Sequence, residues 1–137
     1  MAQLKILIVD DNAHVRKLAR AIVGELAGAE ICECGDGRAA IETCQVWRPD
    51  IALVDYEMTP MDGVRFTKLV RGGQTPLPSD LPIVMMTGHA DKKSVELARA
   101  AGVNGFIVKP LSVGMVIKQI DRTLAAARPH VFHILAA

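Results

Sequence analysis

Residues 4–14 read LKILIVDDNAH, an apolar run that stops on two adjacent aspartates, Asp10 and Asp11. The β-branched-rich portion from Lys5 to Val9 has the composition of a strand covered on both faces. Its end is the puzzle. Neighbouring carboxylates repel each other, and beside an apolar core each also loses hydration. Either the pair faces water and serves, with Asn12, as an ordinary helix cap, or a cation joins it. The rest of the chain decides.

Apolar runs and helical patterns alternate from there on. Val15, Leu18, Ala19, Ile22, Val23 and Leu26 recur at helical spacing, with Gly28 as the stop. EICEC (30–34) alternates as a shorter, more peripheral strand, and DGRAAIETCQVW (36–47) predicts a helix closed by Pro49. IALVD (51–55) is a second fully buried run and also ends on an aspartate. Asp62-Gly63 opens a helix over 64–71, and a long loop rich in Gly and Pro follows. IVMMT (83–87) is the next strand, DKKSVELARAAG (91–102) a helix, and GFIVKP (105–110) the last strand. Val113, Val116, Ile117, Ile120 and Leu124 then stripe a final amphipathic helix. Five strands alternating with five helices predict an α/β fold: one doubly wound, five-stranded parallel sheet, in a single domain, with helices on both faces. The domain is expected to span 1–127, leaving 128–137 as a C-terminal tail.

Bulk composition narrows the function classes. A chain of 137 residues, half hydrophobic and 23% charged, is globular rather than disordered. Sixteen basic against fifteen acidic residues give a net charge of +1, so neither nucleic acid nor an anionic membrane has an electrostatic claim. No apolar run approaches the roughly 20 residues of a membrane span, and the start MAQLKILIVDD lacks a signal-peptide layout, so a cytoplasmic location is expected. Cys32, Cys34 and Cys44 are odd in number and lack zinc spacing, which predicts free thiols acting as small buried apolar residues.

In open α/β sheets, ligands bind at the carboxyl ends of the strands. Asp10 and Asp11 follow the first strand, Asp55 closes the third, Thr87 the fourth and Lys109 the fifth. No single position is specific; their joint placement on one rim is. Three carboxylates in one shallow site call for a hard cation, and Mg²⁺ suits because it takes oxygen ligands while keeping several waters. A phosphoryl group in transfer spreads charge over three oxygens, for which Lys109 offers a positive charge and Thr87 a hydroxyl. Asp55 is then a candidate nucleophile, since a carboxylate can carry a phosphoryl group as a mixed anhydride.

At these residues the chain resembles the receiver domain of two-component response regulators, with CheY-like stand-alone proportions. The likeness rests on VDD (9–11), LVDYEMTPMDG (53–63), MTG (86–88) and FIVKP (106–110). It implies the flavodoxin-like strand order 2-1-3-4-5. It also implies Asp55 as phosphoacceptor, Asp10 and Asp11 with Asp55 as Mg²⁺ carboxylates, and the Glu57 backbone carbonyl as a further ligand. Thr87 and Phe106 correspond to the family's switch pair, Lys109 to its phosphate-binding lysine, and Lys109-Pro110 to a cis peptide. Glu57 and His89 occupy the variable positions that set phosphoryl lifetime. The implied partners are a histidine kinase or histidine phosphotransfer protein upstream. Downstream is a protein target on the face of the fourth helix, fifth strand and fifth helix, with the chain a monomer or a phosphorylation-dependent homodimer. Thr59 stands where the family usually has proline, with Pro60 after it, so the loop bearing the Glu57 carbonyl is expected to run differently.

Other readings stand beside this one. Phe106 is a core aromatic on any of them, and Trp47 an anchor at a helix end. DYEMT (55–59) also resembles the Asp-x-Asp-x-Thr motif of haloacid-dehalogenase-type phosphatases, with Glu57 replacing the second Asp. That family places its acid pair after the lysine, whereas here only Asp121 follows Lys109. A receiver-like interaction module that is never phosphorylated is the third class. Such modules typically lack an acid, the Thr or the Lys, and all are present here.

Overall fold

The structure, a computed structural model, describes residues 3–26 and 28–127. The expected tail and its apolar residues Phe132, Ile134 and Leu135 lie outside the described residues. Ten elements alternate along the chain: β1 (Lys5–Val9), α1 (Ala13–Val23), β2 (Glu30–Cys34), α2 (Gly37–Thr43), β3 (Ile51–Asp55), α3 (Gly63–Arg71), β4 (Ile83–Thr87), α4 (Lys92–Ala101), β5 (Gly105–Val108) and α5 (Val113–Ala127). All strand pairs are parallel, in the order β2-β1-β3-β4-β5. The expected sheet is the observed one.

Burial follows from the composition of the strands. From Ile6 to Val9, and throughout β3 and β4, every residue is buried, because helices cover both faces. Strand periodicity divides the core into two layers. Ile6, Ile8, Leu53, Val84, Met86 and Ile107 meet the apolar stripes of α1 and α5. Leu7, Val9, Ala52, Val54 and Ile83 meet α2, α3 and the buried Leu77 and Leu81 of the Gly/Pro-rich loop. Burying each such Leu, Ile or Val is worth about 1.5–3 kcal/mol against exposure, so the sheet is the rigid part on which the loops are mounted.

Two helices are shorter than their apolar patterns. The stripe of α1 runs on to Leu26, yet the helix stops at Val23 with Gly24 as C-cap. Leu26 packs on the first layer from a turn in which its N–H donates to the Val23 carbonyl. Likewise α2 ends at Thr43, and the N–H groups of Val46 and Trp47 turn back to the Thr43 carbonyl. Trp47 is nonetheless an anchor: its Nε1 donates to Glu30 Oε1 at 2.7 Å. In both places apolar residues keep their core contacts after the helix has unwound, and helical periodicity cannot distinguish that from a longer helix.

Cys34 and Cys44 are buried and Cys32 half-buried, all as free thiols. Burial pushes the Cys34 thiol up to about 11 and the Cys44 thiol to about 12. Among the described residues no helix is long and apolar enough to cross a membrane.

Candidate functional site

The sheet order brings the acids together. Reversal of the order in which successive strands are added places β1 beside both β2 and β3, and ligands collect outside the strand ends at such a switch point. Val9 pairs with Val54, so Asp10 and Asp55 are the next rung. Asp10, Asp55 and Lys109 each fall two residues after a member of the first core layer: Ile8, Leu53 and Ile107. The two-residue period of a strand therefore aims all three toward the same side. Thr87 and Phe106 have the opposite parity and sit on the α3–α4 side.

Distances bear this out. Carboxylate oxygens of Asp10, Asp11 and Asp55 all lie within 4.8 Å of one another. Lys109 Nζ bridges two of these acids, 2.9 Å from Asp55 Oδ1 and 3.1 Å from Asp10 Oδ2. The other Asp10 oxygen accepts the Asn12 N–H at 2.8 Å. Asp10 is completely buried and Asp55 nearly so, whereas Asp11 is exposed. The site opens as a cleft of about 260 Å³ lined by these acids with Asn12, Glu57, Gly88, His89 and Lys109.

Electrostatics in the cleft are governed by burial. Burial raises the Asp55 carboxyl from 3.8 to about 6, helped by the Asp10 charge and opposed by the Lys109 hydrogen bond. Burial alone would lower the Lys109 ammonium. Its hydrogen bonds to Asp55 and Asp10 and their negative charges outweigh that and raise it. The donor set is all oxygen and all carboxylate, which fits a hard divalent cation such as Mg²⁺ and not a soft one.

The loops around the cleft are fixed locally. Asn12 rather than an aspartate caps α1, accepting the N–H groups of His14 and Val15 at 2.9 and 3.2 Å. Asp62 caps α3 through the Arg65 N–H. Thr87 is buried, and its hydroxyl closes a small ring: it donates to the His89 carbonyl and accepts the His89 N–H, both at 3.0 Å. His89 Nε2 lies 3.8 Å from Glu57 Oε1, between two exposed side chains. Lys109-Pro110 is cis as expected, and the loop after Glu57 contains a second cis bond, Thr59-Pro60.

One expectation is corrected. Phe106 is half-buried and belongs to neither core layer. It stands on an edge strand, where its neighbour Val108 is 50% exposed, so its ring is only partly covered.

Two contributors escaped the sequence reading. Arg16 donates to the Asp10 carbonyl at 2.6 Å. Gly63 packs so closely on β3 that a Cβ there would lie 2.4 Å from the Asp55 carbonyl oxygen. The Asp-Gly pair at 62–63 was a visible turn signal; for Arg16 no local pattern exists.

Known proteins place this arrangement. The response regulator receiver domain family matches residues 6–121. The chain belongs to that family. As a receiver domain it is 30% identical over 119 residues to the chemotaxis protein CheY-3 of Vibrio cholerae, covering 87% of this chain and 90% of that one. The solved structure of Vibrio cholerae CheY4 superposes with a TM-score of 0.81 at 31% identity, over 90% of this chain and all of that one. The receiver domain of a Pseudomonas aeruginosa sensor histidine kinase, solved with magnesium coordinated in its active-site cleft, matches at TM-score 0.78 and 25% identity, over 90% of this chain and 99% of that one. Two longer curated relatives, of which this chain spans 28% and 17%, also match. CheY-type receiver domains are signalling domains, and phosphoryl acceptance is their general function.

Proposed function

We propose that this receiver domain accepts a phosphoryl group on Asp55 from a histidine kinase or histidine phosphotransfer protein, and that the modification switches a protein-binding face formed by α4, β5 and α5. The observation that supports it most is the lysine bridge: Lys109 Nζ within 3.1 Å of both Asp10 and Asp55, with Asp11 beside them. Asp10, Asp11 and Asp55, with the Glu57 backbone carbonyl, would hold Mg²⁺. Bound there, Mg²⁺ supplies positive charge to the phosphoryl oxygens.

The chain's own groups account for the rest. An Asp55 carboxylate oxygen attacks phosphorus, the phosphorus–nitrogen bond of the donor histidine breaks, and the mixed anhydride forms. Lys109, already in contact with Asp55, offsets the charge gathered on phosphorus. The arriving group carries about −1.5 to −2 charges at pH 7 and three strong acceptors. Thr87 must then exchange its bond to the His89 carbonyl, a neutral bond worth about 1 kcal/mol net, for a charge-assisted one roughly twice as strong. Its departure frees space on the face it shares with Phe106. That ring carries no hydroxyl and is only half-buried, so packing alone holds it. Val108, Leu97, Val113 and Met115, all at least 43% exposed, supply apolar surface on β5, α4 and α5.

Glu57 and His89, paired across the cleft mouth, set the lifetime of the phosphoryl group. The domain spans 1–127, with 128–137 as a tail, and works in the cytoplasm as a monomer or a phosphorylation-dependent homodimer. Its only chemistry is its own phosphorylation and dephosphorylation. Incubation with a small acyl phosphate and Mg²⁺ tests the class. One phosphoryl group added per chain, and none in Asp55→Asn, is the expected outcome. Continuous phosphate release from unrelated esters would indicate a phosphatase, and no adduct from any donor a passive interaction module.

A further inference from the structure

Asp10 is held on four sides, and two of its holders, Cys34 and Arg16, lie outside the cleft. Its N–H donates to the Cys34 carbonyl at 3.1 Å, Asn12 and Lys109 take its two carboxylate oxygens, and Arg16 Nη1 donates to its carbonyl at 2.6 Å. Arg16 is itself anchored: its Nε lies 3.5 Å from Glu33 Oε1 on β2, with both side chains about three-quarters buried. The other Glu33 oxygen takes the half-exposed Arg20 at 3.0 Å. An unbroken path thus runs from the edge strand through one guanidinium to the corner where the acid pair sits.

We infer that Arg16 is a positioning residue for cation binding, fixing the turn that presents Asp10 and Asp11. The inference rests on the proposed Mg²⁺ site. Two effects of opposite sign compete at Arg16. A positive charge near an acid cluster weakens cation binding by repulsion; a fixed turn strengthens it, because the ligands need not be ordered on binding. Geometry wins here for two reasons. Glu33, shared with Arg20, offsets part of the guanidinium charge, and the contact falls on a backbone carbonyl rather than on a liganding oxygen. A planar fork is needed to reach the carbonyl and Glu33 together, which a lysine ammonium does not do.

Calorimetric titration of the full chain with MgCl₂ tests this, alongside thermal unfolding in chelator. Arg16→Met keeps the apolar stem and removes the fork, and is expected to weaken Mg²⁺ binding about tenfold, the lower end for loss of an outer-shell partner. Arg16→Lys should recover part of the loss. Arg20→Met removes a positive charge from the same Glu33 without touching Asp10, and should bind Mg²⁺ as the wild type does. Binding by Arg16→Met equal to or tighter than wild type overturns the inference while leaving the Mg²⁺ site intact. A fall in melting temperature with unchanged affinity overturns it too, since it would make Arg16 merely structural. No Mg²⁺ binding by the wild type sinks the proposed function itself, and this inference with it.

Discussion

Asp55 carries an electrostatic cost that its neighbours only partly relieve. Burial holds its carboxyl at about 6 in the folded chain against 3.8 ordinarily. An acid whose folded value is raised contributes stability that is complete below the unfolded value and lost as pH rises through the folded one. In chelator, stability is therefore expected to fall between about pH 4 and pH 7, by an amount on the order of 3 kcal/mol at most. Asp55→Asn should flatten that decline and leave the metal-free protein more stable at neutral pH; urea unfolding across that range measures both. A wild-type curve that rises over the same interval would contradict the assignment. The side chains of Glu57 and His89 are exposed, with His89 Nε2 3.8 Å from Glu57 Oε1 at the cleft mouth. Alanine at either position should change the decay rate of the phosphorylated form several-fold with little effect on folding, as followed by loss of the adduct with time. At this scale Asp10, Asp11, Asp55, Thr87 and Lys109 were legible because each terminates an apolar run. Arg16 was not, because its bond to Asp10 depends on how α1 is rotated over the sheet, which no local pattern encodes.

Strand limits and the ends of α3 and α4 were legible, whereas the ends of α1 and α2 were not, for one physical reason. A strand buried on both faces must be apolar from end to end, so its limits are written in composition. A helix that unwinds while its side chains stay in the core leaves the pattern unbroken, as Leu26 and Trp47 do. The corner between β3 and α3 shows the converse. Gly63 needs no special torsion, yet a Cβ there would meet the Asp55 carbonyl oxygen at 2.4 Å and Met85 Sδ at 2.7 Å. The first contact is with backbone and cannot be relieved by a rotamer change. Gly63→Ala is expected to cost about 1–3 kcal/mol, the usual range for overpacking, and to displace the phosphoacceptor strand end. Denaturant unfolding would register the first effect and reduced phosphorylation the second. Stability equal to wild type would mean that the corner is looser than its contacts imply.

Across the whole molecule, the sheet turns scattered sequence positions into one site. Asp10 and Lys109 are 99 residues apart in the chain and 3.1 Å apart in space. Parallel pairing with the order β2-β1-β3-β4-β5 puts every strand's carboxyl end on one rim, so a chain that ends its buried runs on Asp, Asp, Thr and Lys builds a charged cleft there. Phe106 shows the limit of that inference. Its aromatic character suggested the core, but β5 is an edge strand and the ring is only half covered. The central claim concerns Asp55 alone among three clustered carboxylates. Borohydride reduction after phosphorylation in Mg²⁺, followed by peptide mass mapping, tests it most directly, because an acyl phosphate is reduced and a free carboxylate is not. Homoserine in place of Asp55, with Asp10 and Asp11 unchanged, is the predicted result. Homoserine at either of those positions, or at none, would contradict the account.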